Sequence, residues 1–395
     1  MRKMKRVYLD NGSTSFPKAP GVSDAVKFFM DEVGANVNRG GYESAYSAED
    51  VIMETREMLK KLFHFPGKTR NVIFTPNITY SLNYIIKGWL KAGDHVLVSS
   101  MEHNAMMRPI VQMEKYGITF DRIPCTRDGE MIVEKIEELI RPETKGILTL
   151  HGSNVCGAVM PLEEIGAICK KHNIKFVVDA AQTAGVFPID MGKMNIDILA
   201  FTGHKSLLGP QGIGGFLISD EMAKVVDPLI VGGTGSVSDS EIQPEFLPDK
   251  YESGTPNIPA IYGLNASLKY VLEKGIDHIR EKEMELAGAF MNELKDVETV
   301  RIVGPNRVEN RAPVVSLDFE GQDNAEIAFE LENEYGIATR TGLHCAPNAH
   351  KTLETYPQGT VRFSFGHFNT MDEVLYAAQS VKTILNNKKD LENGI

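Results

Sequence analysis

The segment Val177-Val178-Asp179-Ala180-Ala181-Gln182, followed by Thr202-Gly203-His204-Lys205, limits the fold of this chain more than any other stretch. Ile174 to Val178 is a largely apolar run of strand length, which puts Asp179 at the C-terminal end of a buried strand. Open α/β sheets place their ligand crevices at such ends. A second apolar run, Ile196 to Phe201, stops just before Lys205, so a carboxylate and an amine are predicted to reach one crevice from two strand ends. Taken singly, Asp179 reads as a helix N-cap and Lys205 as a surface charge. Together, flanked by His204 and small residues, they read as a site.

The rest of the chain fits an α/β architecture. Strand-like runs occur at Asn71–Thr75, His95–Ser99, Ile118–Ile123, Gly146–Leu150, Ile174–Asp179, Ile196–Thr202 and Ile213–Ile218. Helical patterns fill most gaps. Between Ala48 and Leu62, for example, Val51, Ile52, Thr55, Met58, Leu59 and Leu62 recur at three- and four-residue spacing. Such alternation predicts a mostly parallel seven-stranded sheet with helices on both faces. Beyond a Gly-, Pro- and Ser-rich stretch from Gly232 to Pro259, a long helical region (Ile261 to Lys295) leads into a second unit. That unit has strands at Val314–Phe319 and Val361–Phe365 and helices at Ala325–Tyr335 and Met371–Leu385. At 395 residues the chain exceeds the roughly 250 to 300 at which single cores stop growing. The expected division is a large domain, 1–262, and a smaller C-terminal α+β domain, 263–395, with the N-terminal segment (about 1–20) packed on the smaller one.

Charge and cysteine usage remove several functional classes. A net charge of −11 argues against a nucleic-acid or anionic-membrane partner. Met1 to Arg6 is basic, but the strand-like Val7-Tyr8-Leu9-Asp10 follows instead of a long apolar stretch. This predicts neither a signal peptide nor a membrane anchor, and a cytoplasmic location. Cys125, Cys156, Cys169 and Cys345 have neither the close pairing of a zinc site nor the density of a disulfide scaffold, and no metal is expected. Gly209-Pro210-Gln211-Gly212-Ile213-Gly214-Gly215 resembles a phosphate loop, but a strand follows it where a dinucleotide site needs a helix N-terminus. It reads instead as a tight turn beside Lys205.

An amine beside an acid that can protonate a pyridine nitrogen is the equipment of a pyridoxal phosphate enzyme. Tyr8-Leu9-Asp10-Asn11, Met101-Glu102-His103-Asn104, Ser153-Asn154-Val155, Asp179 to Gln182, Thr202 to Lys205, Glu252-Ser253-Gly254-Thr255-Pro256-Asn257 and Arg340-Thr341-Gly342-Leu343-His344-Cys345-Ala346 extend that match over nearly the whole chain. The sequence resembles the group II cysteine desulfurases of the class V aminotransferase family, fold type I pyridoxal phosphate-dependent transferases that include selenocysteine lyases.

The resemblance implies roles residue by residue. Lys205 would carry the cofactor as a Schiff base and then act as a base. Asp179 would keep the pyridine nitrogen protonated, His103 would stack on the ring and share in proton transfer, and Gln182 would donate to the ring phenolate. Asn154 would sit between that oxygen and the substrate carboxylate. Thr79, at the start of the helical pattern Tyr80–Leu90, would bind phosphate with Thr202 and His204. Ile78 stands where a hydroxyl residue is common. Thr255 would reach in from the partner subunit of a homodimer. Arg362 and Arg340 would bind the substrate carboxylate. Cys345, in a polar, turn-rich run, would attack the sulfur of L-cysteine and leave a persulfide, with Arg340 and His344 favouring its thiolate. Leu343 departs from the polar residue frequent at that position. The other three cysteines read as packing. The implied activity is a cysteine desulfurase supplying sulfur, through an acceptor protein, to iron–sulfur clusters or thiolated products. L-selenocysteine is the alternative substrate, and the alternative class is a non-catalytic cofactor-binding or interaction protein.

Overall fold

A computed structural model of the chain describes residues 6–37, 42–237, 239–309 and 311–392. The basic residues 1–5 lie outside them. Among the described residues, thirteen strands form three sheets: β1 (Val7–Tyr8), β2 (Val72–Thr75), β3 (His95–Ser99), β4 (Thr119–Ile123), β5 (Thr144–Leu150), β6 (Lys175–Asp179), β7 (Ile198–Thr202), β8 (Gly214–Ile218), β9 (Val300–Val303), β10 (Val314–Phe319), β11 (Ile337–Ala338), β12 (Arg340–Gly342) and β13 (Thr360–Ser364). The main sheet has seven strands in the order β2-β8-β7-β6-β5-β3-β4. Its β7-β6-β5-β3-β4 portion is parallel, whereas β8 runs antiparallel to both β7 and β2. The expected seven-stranded, mostly parallel sheet is therefore present.

Alternation along each strand divides the core into two layers. Leu97, Ile147, Phe176, Val178, Leu199 and Phe201 join one hydrophobic cluster, while Val96, Val98, Leu148, Val177, Ile198 and Ala200 join the other. The first layer is closed by the helices Glu43–Leu62, Leu162–His172 and Ile258–Lys274, and the second by Ile78–Trp89 and Asn104–Met113. With both faces covered, the ligand-accessible part of the sheet is its C-terminal rim.

The helical region Ile261–Lys295 is two helices, Ile258–Lys274 and Ile276–Leu294. They are separated by Gly275 at φ +82°, a backbone conformation an L-residue adopts only with strain. After them, β12-β13-β10-β9 form an antiparallel sheet flanked by the helices Asn324–Tyr335 and Met371–Glu392. The N-terminal segment joins this unit: β1 pairs in parallel with β11, Asp10 bridges to Ser364, and Val7 and Leu9 enter its hydrophobic cluster. Among the described residues, no helix is long and apolar enough to cross a membrane, and no group of three or more His, Cys, Asp or Glu could hold a metal ion.

Candidate active site

A cavity of about 560 Å³ opens at the C-terminal rim, lined by Thr79, His103, Asn154, Asp179, Gln182, Thr202, His204 and Lys205, among others. Eight residues named from the sequence thus meet at one place. Topology explains the meeting. Asp179 ends β6, Thr202 ends the adjacent β7, and Lys205 follows on the turn from β7, as the two apolar runs predict. The loop expected to turn beside Lys205 does so: Gly203 N–H donates to Ile213 O at 2.9 Å, Gly209 N–H donates to Gly203 O at 2.9 Å, and Gln211 and Gly212 line the cavity. A Cβ on Gly214 would lie 2.8 Å from Phe201 O and 3.0 Å from Asn77 Cα. Only glycine lets β8 pass under the start of the helix Ile78–Trp89. That helix is capped by Asn77 Oδ1, which accepts from Tyr80 N–H at 3.2 Å, and its first turn faces the cavity through Ile78 and Thr79.

The charges in the cavity are tuned by burial. Lys205 is pushed down to about 8 by burial, against the opposing pull of Asp179. Asp179 itself is raised, again by burial, although Ala181 N–H donates to its Oδ1 at 2.9 Å. His103 is the N-cap of the helix Asn104–Met113, its Nδ1 accepting from Ala105 N–H at 2.9 Å. Burial, aided by Lys205, holds it near 4, so the ring is neutral with its proton on Nε2. The cap and the cavity wall are one residue.

Four buried polar atoms around this cavity have no hydrogen-bond partner among the described residues: Thr202 Oγ1, His204 Nδ1, Asn154 Oδ1 and, just behind, Arg362 Nε. Buried polar atoms in folded proteins are nearly always paired, so this cluster points to a polar ligand. Gln182 is partly committed, its Nε2 donating to Gly12 O at 2.9 Å. Arg362 does not line the cavity. It stands behind Asn154, donating from Nη1 to Asn154 O at 2.9 Å and from Nη2 to Asp10 Oδ1 at 2.8 Å and Ser13 Oγ at 2.6 Å. Arg340, its cross-strand neighbour, is exposed and donates to Asp10 Oδ2 at 3.2 Å. Thr255 lines a separate cavity of about 390 Å³, which shares Pro76, Tyr80 and Gly212 with the first.

Cys345 is the only exposed thiol of the four. It sits in the turn between β12 and the short helix Pro347–Thr352, and the turn is tied to the cavity at two points. Asn104 N–H donates to Cys345 O at 2.8 Å, and Asn154 Nδ2 donates to His344 O at 2.8 Å. His344 and Cys345 both take left-handed backbone, φ +45° and +59°, a cost of order 1–3 kcal/mol each that clusters at functional sites. Burial holds Cys125 near 11, Cys169 near 12, and Cys156 above its ordinary value. The expectation that His344 favours the thiolate is corrected. His344 is buried, its Nε2 lies 2.9 Å from Thr360 Oγ1, and burial together with Arg362 pushes it down to about 2, so it carries no positive charge to lend.

Asp10 and Ser13 received no role from sequence. Their contact with Arg362 spans about 350 positions, and no local pattern encodes it.

The class-V aminotransferase family model matches residues 7–376. A probable cysteine desulfurase of Pyrococcus abyssi is 32% identical over 375 residues, spanning 93% of this chain and 91% of that one. A second, from Halalkalibacterium halodurans, is also 32% identical over 375 residues, with 93% and 90% covered. Among solved structures, the apo cysteine desulfurase of Thermococcus onnurineus superposes with a TM-score of 0.88 at 31% identity, covering 99% of this chain and 95% of that one. A cysteine desulfurase of Escherichia coli gives 0.87 at 28%, with 96% and 95% covered. A fold built around the rim of a mostly parallel sheet, and relatives matched along nearly their full length, lead to one conclusion: the chain belongs to the class-V aminotransferase family, in the branch occupied by the cysteine desulfurases.

Proposed function

We propose that this protein is a homodimeric, pyridoxal phosphate-dependent cysteine desulfurase that converts L-cysteine to L-alanine and takes the sulfur onto Cys345. The observation that carries the reading is that the turn bearing the only exposed thiol is held, through the carbonyls of His344 and Cys345, by Asn154 in the wall of the Lys205 cavity and by Asn104, which follows His103 of that wall.

The residues fit the cofactor. Thr202 Oγ1 and His204 Nδ1 are unpartnered and buried, and with the first turn of the helix Ile78–Trp89 they would hold its phosphate. Asp179 would pair with the pyridine nitrogen, and the free amide proton of Gln182 would reach the phenolate. When bound, pyridoxal phosphate supplies an electron-withdrawing ring to the substrate's α-carbon. Neutral His103 offers a ring face and a single N–H, while Lys205, poised near neutrality, holds and returns the α-proton. Arg362 would clamp the substrate carboxylate, with Asn154 in front of it and Arg340 outside. The Cys345 thiolate would attack the substrate sulfur. An S–S bond forms, the C–S bond breaks, its electron pair stays with carbon, and a proton completes L-alanine.

Alanine release from L-cysteine and L-selenocysteine, with and without a thiol reductant, tests the reading. With reductant, L-cysteine should turn over repeatedly. Without it, the reaction should stop near one alanine per site and leave one extra sulfur on the Cys345 peptide, none on Cys125, Cys156 or Cys169. Alanine made with Cys345 unmodified would overturn the sulfur-transfer step, and turnover of L-selenocysteine alone would make the protein a selenocysteine lyase. The same reading implies a protein acceptor for the sulfur in a cytoplasmic setting.

The dimer is supported by the exposed apolar residues Tyr80 and Ile230, which line the same cavity as Thr255, and by the further exposed apolar residues Val231, Ile242 and Phe246 of the segment between Ile230 and Thr255. Thr255→Ala should weaken cofactor retention at both sites, read as faster loss of visible absorbance on dilution. Unchanged retention in a sedimenting monomer would remove the partner contact.

A further inference from the structure

Arg362 is nearly buried, with 3% of its side chain exposed, and it already holds a carboxylate of its own chain, Asp10, whose side chain is 13% exposed. The two are joined at 2.8 Å, Ser13 Oγ donates to Asp10 Oδ1 at 2.7 Å, and Ser13 Oγ also accepts from Arg362 Nη2 at 2.6 Å. Asp10 bonds Arg340 as well, so one carboxylate lies between two guanidinium groups on opposed residues of β12 and β13. Facing cations on adjacent strands repel, and the shared anion offsets that repulsion. The arrangement is unsaturated in one respect: Arg362 Nε is buried without a partner among the described residues. Asp10 therefore uses one nitrogen of a fork that can bind a carboxylate through two.

We propose that Asp10 is a specificity-determining residue that stands in for the substrate carboxylate, so that an incoming amino acid must exchange with Asp10 for Arg362. This rests on the reading of Arg362 as the carboxylate clamp. The exchange lowers affinity for any carboxylate ligand, and leaves the two arginines and the aspartate with a single net positive charge, matched to one carboxylate. Weak ground-state binding of this kind favours turnover over retention of the product, L-alanine.

The test measures dissociation constants of L-alanine and L-alaninamide from the change each causes in the visible spectrum of the holoenzyme, in wild type and Asp10→Asn. Removing the competing charge should tighten L-alanine by about tenfold, while L-alaninamide, which lacks the carboxylate, should shift less than about twofold, the scale of one charge-assisted contact. A purely structural Asp10 would weaken both ligands together. Unchanged or weakened L-alanine binding in Asp10→Asn overturns the proposal. If that variant does not fold, Ser13→Ala decides: loosening Asp10 should tighten L-alanine about two- to threefold, again without moving L-alaninamide, and no tightening overturns it. Holoenzyme that binds L-alanine as expected but releases none from L-cysteine would sink the desulfurase reading and leave this one standing.

Discussion

Cys345→Ser should keep the cofactor, bind L-cysteine with a spectral change, and release alanine at least about a thousandfold more slowly than wild type, the scale of losing a nucleophile. The separation follows from geometry. Cys345 stands on an exposed turn, whereas Lys205, Asp179, His103 and Gln182 line the cavity without it. Early proton transfers therefore survive the substitution, and only cleavage at sulfur is lost. L-Selenocysteine should suffer less, because its better leaving group depends less on nucleophilic help. The measurement is alanine formed per site under single turnover. A serine variant that makes alanine from L-cysteine at the wild-type rate removes Cys345 from the chemistry.

Lys205→Ala should abolish covalent attachment of pyridoxal phosphate and lower turnover by about a thousandfold or more, as expected for loss of the residue that moves the α-proton. Borohydride reduction followed by peptide mapping should find the adduct on Lys205 and on no other lysine. The pH dependence gives an independent check. Covalent capture needs the neutral amine, and burial brings Lys205 to about 8 where an exposed lysine stays near 10.4. The initial rate of capture by apoprotein should rise about tenfold from pH 6 to pH 7 and flatten above about pH 8. The same displacement has a stability sign. A lysine whose folded value lies below its unfolded one opposes folding when both states are protonated, so apoprotein should gain stability as pH rises from about 8 toward 10.5. A capture rate still climbing tenfold per unit at pH 9 would mean that Lys205 is an ordinary surface amine.

Much of this architecture is legible in the residues because its signals are local. The run Ile174–Asp179 and the strand β6 differ by one residue, and the helix expected over Ala325–Tyr335 spans Asn324–Tyr335. Asp179 and Lys205 could be paired from sequence because strand ends in an open α/β sheet share a rim. What escaped were features fixed by long-range contact. The antiparallel insertion of β8 between β2 and β7 depends on close backbone approach at Gly214 and Gly215, in a segment whose glycines read from sequence only as a tight turn. The neutrality of His344 depends on its burial beside Thr360 and Arg362, and nothing adjacent to Cys345 reveals that burial. Arg362 reads as an open clamp until Asp10, from the opposite end of the chain, is seen on it.

The bond from Asn104 N–H to Cys345 O has a mechanical meaning. Asn104 opens the helix whose cap is His103, so the turn that bears the sulfur also closes the first backbone donor of the helix that aims the His103 ring. Any displacement of Cys345 that broke this bond would free the start of that helix and loosen the ring that faces the Lys205 cavity. The placement of the thiol and the aim of the ring are thus a single adjustment, set by one backbone hydrogen bond.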